Sequence, residues 1–186
     1  MNGIAFVAEG NYDEQVLKTL IPRIRGGPVD VPSRICGKPL RGRYVRRLKE
    51  LAHEPNLEKA LVVSDAHSRN PRAHLDQLQN EIQNVQFAFP VLFVVVVQEL
   101  EAWLLADHLA LNAVAAARGG QPNFRPLTDS PESFADPKRE LRVLLANAGI
   151  PYTQAVAREI AENADLQRIG YWCRSFRRFQ DAVIDP

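Results

Sequence analysis

A chain of 186 residues, 46% hydrophobic and 24% charged, is long enough for one sizeable core and has the make-up of an ordinary globular protein. Its formal net charge of +1 argues neither for nor against a nucleic-acid partner, and its two cysteines, Cys36 and Cys173, are too far apart for a CxxC zinc knuckle or a disulfide framework. No basic segment followed by an apolar stretch opens the chain and no apolar run approaches a bilayer span, so a cytoplasmic protein without a membrane partner is expected. The 18 arginines against 5 lysines suit bidentate phosphate contacts, although a GC-rich genome produces the same bias.

Taken in order, Ile4 to Ala8 is a short apolar run ending in Glu9-Gly10-Asn11, which reads as a strand, a tight turn and then a helix from about Asp13 to Ile24. Asn11 is the expected N-cap, with Glu14 closing a capping box. Glu9 and Asp13 bracket the turn and are placed to face one pocket, although Asp13 also suits the positive end of a helix. Gly26-Gly27-Pro28 stops that helix, and weak alternation from Val29 to Ile35 suggests a second strand. From Leu40 to about Ala52 the pattern is amphipathic, with Leu40, Tyr44, Leu48 and Leu51 inward. Arg41, Arg43, Arg46, Arg47 and Lys49 occupy its other sides, as a phosphate-contacting face or as a solvated one diluted by Glu50 and Glu54.

Ala60 to Ser64 reads as a third strand, running into Asp65-Ala66-His67. A carboxylate directly after buried valines needs a metal, a cation or a hydrogen-bonding role. His67 points the same way as Asp65 if the extended conformation continues. A polar loop with Arg69 and Arg72 leads to a helix from about Arg72 to Gln83. A fourth strand starts near Val85 and, after Pro90, continues through Val91 to Val97, an unbroken β-branched and aromatic run of the kind buried on both faces. Gln98 and the acids Glu99 and Glu101 mark the switch to a helix running to about Ala117, with Leu100, Leu104 and Leu111 at core spacing and Trp103 as core. Asp107 is left open on that helix, as a site acid or a solvent-facing one. Gly119-Gly120 ends it.

Residues 119–136 are rich in Pro, Ser, Asn and Asp without periodicity and read as a long loop or insert. Helices are expected over 137–148 and 154–163, and one more from Leu166 to Ile184. The organisation expected is an α/β core over 1–118, the insert, and a helical C-terminal extension over 137–186 packed on that core, as one domain overall. The β-α-β-α-β-α-β-α order implies a three-layer fold with a mainly parallel central sheet. Acids then stand at the ends of the first, third and fourth strands, on the sheet edge where ligands bind in such folds. Like charges gathered there need a divalent cation to stay ionised, and an oxygen-rich set suits Mg²⁺ or Mn²⁺.

Strand-Glu9-Gly10 and strand-Asp65-x-His67 resemble the Toprim pattern, in which a Glu after the first strand and an Asp-x-Asp after the third bind Mg²⁺ for phosphoryl transfer, as in primases, topoisomerases and nucleases of the overcoming-lysogenization-defect type. More closely, AEGNYDE (8–14), VVSDAH (62–67), VVQELEAWLLAD (96–107), FADPKREL (134–141) and CRSFRRF (173–179) resemble the DUF4276 family of bacterial proteins with a Toprim-like core. That resemblance implies a metal-dependent nuclease, with a role in phage defence and an AAA/ABC-type ATPase as partner. Glu9, Asp13, Asp65, His67 and Glu101 are the expected metal ligands. Glu9, Asp65 and one of Glu99 and Glu101 are the expected catalytic acids. Arg41, Arg43, Arg46, Arg47, Arg69 and Arg72 are the expected nucleic-acid contacts. His67 departs from Asp-x-Asp, which favours Mn²⁺ over Mg²⁺ or a weaker site. The alternative is a non-catalytic partner subunit with a degenerate site. A receiver-like domain with Asp65 as phosphoacceptor lacks the Lys it requires after a late strand.

Overall fold

The computed structural model describes residues 3–185. Four parallel strands form one sheet, β1 (Gly3–Ala8), β2 (Ser33–Ile35), β3 (Leu57–Asp65) and β4 (Val91–Val96), in the order β2-β1-β3-β4. The crossovers carry α1 (Asn11–Arg25), α2 (Tyr44–Leu51) and α3 (Pro71–Ile82). Side chains alternate along a strand, so each strand feeds two cores. On one face Ala5, Val7, Ala60, Val62 and Val95 pack with Tyr44, Leu48 and Leu51 of α2 and Leu78 of α3. On the other, Ile4, Phe6, Leu61, Val63, Val94 and Val96 meet Val16, Leu17, Leu20 and Ile21 of α1 and the C-terminal helices. The expected three-layer α/β architecture is what the chain forms.

After β4 come α4 (Glu101–Leu105), α5 (His108–Ala117), α6 (Pro137–Asn147), α7 (Gln154–Asn163), α8 (Leu166–Trp172) and α9 (Arg174–Ile184). Their apolar residues, among them Leu111, Leu141, Ile160 and Phe176, belong to the same buried cluster as β1 and β3. Trp103 lies at its centre, stacked on Phe179 with ring centroids 5.2 Å apart and donating from Nε1 to Ser175 Oγ at 2.8 Å. Residues 119–136 contain one short 3₁₀ turn, Pro131–Ser133. Glu132 in that turn accepts the Arg174 and Ser175 backbone N–H groups, both at 2.9 Å, and so satisfies the start of α9.

Several boundaries differ from expectation, each for a physical reason. The second strand is only Ser33–Ile35, because Asp30 and Pro32 already hand their carbonyls to Ile4 and Phe6 in an irregular, proline-broken approach. The fourth strand begins at Val91 rather than near Val85. It is an edge strand, and Val91, Leu92 and Phe93 are only half-buried, not enclosed on both faces. The helix cap at the first turn is Gly10, not Asn11: Asp13 Oδ2 accepts the Gly10 N–H at 2.9 Å, whereas Glu14 turns outward to Lys18 and Ser33. The helix expected from Glu99 to Ala117 is two, broken at Asp107, and the last helix is likewise two, broken at Cys173.

Candidate metal centre

The sheet order places the change of winding direction between β1 and β3, and ligands bind above the carboxyl ends of the strands at such a point. Pairing of Val7 with Val62 carries β1 and β3 in register to their ends, which brings Glu9 beside Ser64 and Asp65. All three are buried, with Glu9 5% and Asp65 6% exposed. Ser64 Oγ donates to Glu9 Oε1 at 3.1 Å, and Asp65 Oδ1 accepts the Leu100 N–H at 3.1 Å. His67 reaches the same place by a turn, not by continued strand: its φ of 42° is left-handed, and its N–H donates to Gln98 O at 2.9 Å. Glu9, Asp65 and His67 each offer one ligand atom, all within 4.8 Å of one another. Opposite ligands of an octahedral ion are about 4.2 Å apart, so a cation of Mg²⁺ or Mn²⁺ size fits this group with small side-chain adjustments.

The electrostatics fit a missing positive charge. Burial pushes the Asp65 carboxyl well above its usual range, and the charges of Asp13, Glu101 and Glu9 push the same way. Burial and the Glu101 charge raise Asp13 to about 6. Burial would raise Glu9 too, but the His67 ring, the Lys38 ammonium and the Ser64 hydroxyl outweigh it and hold that carboxyl low. A divalent cation at Asp65 relieves what burial and three neighbouring carboxylates oppose.

Of the other expected ligands, Asp13 and Glu101 lie beside this group but outside it. Asp13 is tied to Gly10; Glu101, 2% exposed, is bonded to Lys138 Nζ at 2.6 Å and accepts from Tyr152 OH at 3.2 Å. Glu99 serves two neighbours, taking the Lys138 N–H on Oε2 at 3.1 Å and presenting Oε1 3.7 Å from His67 Nδ1. Asp107 takes no part and is not solvent-facing. It is 1% exposed, caps α5 through the Leu109 N–H, accepts the Asp165 N–H at 2.8 Å and pairs with Arg168. Four residues at the site escaped the sequence reading. Lys38 Nζ is 3.1 Å from His67 Nε2 and 3.8 Å from Glu9 Oε2; His74 Nε2 is 2.9 Å from Ser64 Oγ; Lys138 and Tyr152 hold Glu101. The helical periodicity that marks His74, the loops that carry Lys38 and Tyr152, and the start of α6 that carries Lys138 say nothing about direction toward a distant strand end.

The expected nucleic-acid arginines are scattered. Arg41 and Arg69 line a cavity of about 390 Å³ beside the site together with Lys38, Ser64, His67 and His74. Arg69 donates to the Ala66 and Asp65 carbonyls, and Arg41 pairs with Glu81 at 2.9 Å. Arg43 donates to Lys38 O, Arg46 and Arg47 flank Glu50, and Arg72 pairs with Asp76 at 3.2 Å.

No helix among the described residues is long and apolar enough to cross a membrane. The fold is similar to that of the C-terminal region of the OLD protein of Xanthomonas campestris pv. campestris, with a TM-score of 0.52 over 98% of this chain and 96% of that one at 16% sequence identity. No match is found among curated proteins. The model of the domain of unknown function DUF4276 matches residues 8–184, nearly the whole chain, and the protein belongs to that family.

Proposed function

We propose that the protein is a divalent-metal-dependent phosphodiester hydrolase acting on nucleic acid, with Mn²⁺ or Mg²⁺ held by Glu9, Asp65 and His67. The observation that carries this reading is the meeting of those three side chains within 4.8 Å, at the strand ends of the sheet's switch point, with Asp65 short of positive charge. The overall likeness to an OLD C-terminal region, at 16% identity, agrees with a Toprim-like frame but speaks to fold alone. A bound ion would polarise a phosphate and activate water at neutral pH. The chain's own residues do the rest. Leu100 N–H and Ser64 Oγ aim the two carboxylates, Glu99 faces the His67 ring from the side opposite Glu9, and Lys138 offsets Glu101. Lys38 and the pocket arginines supply charge for the backbone of the substrate. A place in phage defence beside an AAA/ABC-type ATPase belongs to the same proposal.

The test is Mn²⁺-dependent cleavage of supercoiled plasmid and single-stranded RNA by wild type, Glu9→Gln and Asp65→Asn. Cleavage by wild type with a loss of about 10²-fold or more in both variants is expected. A second reading, a non-catalytic subunit of an ATPase, is favoured by the two lysines already set against Glu9 and Glu101. It gains if wild type neither cleaves nor gains melting temperature with metal.

A further inference from the structure

Lys38 stands on the loop after β2, and its side chain is 59% exposed. An ammonium only donates hydrogen bonds, so its 3.1 Å contact with His67 Nε2 uses the lone pair of the tautomer whose proton is on Nδ1. The same Nζ is 3.8 Å from Glu9 Oε2. Its two neighbours are thus the ligand-bearing groups of two of the three residues that meet at the metal centre. His67 Nδ1, which then carries the ring proton, faces Glu99 Oε1 at 3.7 Å, an arrangement that leaves Nε2 free to coordinate. Lys138 differs in kind. Its ammonium is 2.6 Å from the buried Glu101, sits 5.0 Å from the Tyr12 ring centroid, and touches none of the three.

We propose that Lys38 is an exchangeable counter-cation: it occupies the Glu9–His67 position until a divalent ion takes it, then turns into the adjoining cavity and binds a phosphate of the nucleic-acid substrate. This rests on the metal-centre reading above and adds how loading of the site is tied to capture of substrate. Two observations carry it. A cation cannot use the His67 Nε2 lone pair while the ammonium does, so the two compete for one set of electrons. The displaced side chain has somewhere to go, because it already lines a cavity of about 390 Å³ with Arg41, Arg69 and His74. Two positive charges left close together at the filled centre would repel, and an anionic phosphate between them removes that repulsion.

The experiment is calorimetric titration of Mn²⁺ into wild type, Lys38→Met and Lys38→Arg, followed by binding of a labelled 12-mer RNA and DNA in Ca²⁺, with no turnover measured. Lys38→Met is expected to bind Mn²⁺ roughly three- to tenfold more tightly than wild type, since an adjacent unit charge near a protein surface is removed. It is expected to bind the metal-loaded oligonucleotide several-fold more weakly, and Lys38→Arg to stay near wild type in both. Unchanged or weaker Mn²⁺ binding by Lys38→Met, with wild type still binding, overturns the exchange and leaves the metal centre standing. Unchanged oligonucleotide affinity overturns the turn toward phosphate. Absence of Mn²⁺ binding by wild type removes the metal-centre reading itself. Because the Lys38 side chain is 59% exposed, the fold should survive in both variants, with unchanged circular dichroism.

Discussion

At the scale of single residues, the carboxyls of Asp65 and Asp13 are raised by burial, Asp65 also by the charges of Asp13, Glu101 and Glu9 and Asp13 also by that of Glu101, and this sets a sign for pH dependence. A carboxyl with a raised folded pKa holds its proton longer in the folded state, so the folded protein binds more protons than the unfolded chain. The stability that this contributes is complete below the ordinary carboxylate pKa and is lost as pH rises through the folded value, about 6 for Asp13. The metal-free melting temperature should therefore fall as pH rises from about 4 through about 6, and saturating Mn²⁺ should remove much of that fall. Asp65→Asn should flatten the metal-free profile and raise the melting temperature near pH 7.5, while abolishing Mn²⁺ stabilisation. A melting temperature that climbs over this range would contradict the assignment. Glu9 and Asp65 were legible in the sequence because each follows a buried apolar run. His67 was legible only as a neighbour, since its left-handed turn replaces the strand continuation that would have aimed it. Lys38, Lys138 and Tyr152 arrive from loops and helix starts whose direction no local pattern encodes.

At the scale of elements, the break at Asp107 shows where periodicity misleads. Leu100, Leu104 and Leu111 keep one helical phase across the α4–α5 junction, and all three are buried. The interruption is caused by the carboxylate, which caps α5 and ties it to α8 through the Asp165 N–H and Arg168. Burial works to raise the Asp107 carboxyl, but the Asp165 and Leu109 N–H groups and Arg168 outweigh it and hold it low. Asp107→Ala removes the acceptor of the part-buried Leu109 and Asp165 N–H groups and the nearer of two carboxylates beside Arg168, which should cost about 1–3 kcal/mol in chemical denaturation. Metal affinity should be retained, because Asp107 is not part of the centre. An unchanged denaturation midpoint would show that the helix break does not depend on it. The four strands, by contrast, were readable in number and chain order, although β2 is shorter than its pattern suggested and β4 starts later and lies at the sheet edge.

At the scale of the whole molecule, the buried cluster that contains Ile4 and Phe6 also contains Leu141, Ile160, Phe176 and Phe179, so the strands and the C-terminal helices share one interior. A chain ending at residue 136 would expose that face of the sheet, and it should fail to give a cooperative thermal transition. The full chain should give a single calorimetric transition, and two resolved transitions would contradict a shared core. Gly120 ties this assembly together tightly. A Cβ there would lie 2.5 Å from the Ala148 carbonyl oxygen and 2.9 Å from Ile150, so Gly120→Ala should destabilise the protein by about 1–3 kcal/mol.

The account stands on an ion at the ends of β1 and β3, and anomalous diffraction from crystals soaked in Mn²⁺ locates it directly. The account predicts one strong peak within about 2.3 Å of a Glu9 oxygen, an Asp65 oxygen and a His67 ring nitrogen, absent in Asp65→Asn. A peak elsewhere, or none at saturating Mn²⁺, would contradict it.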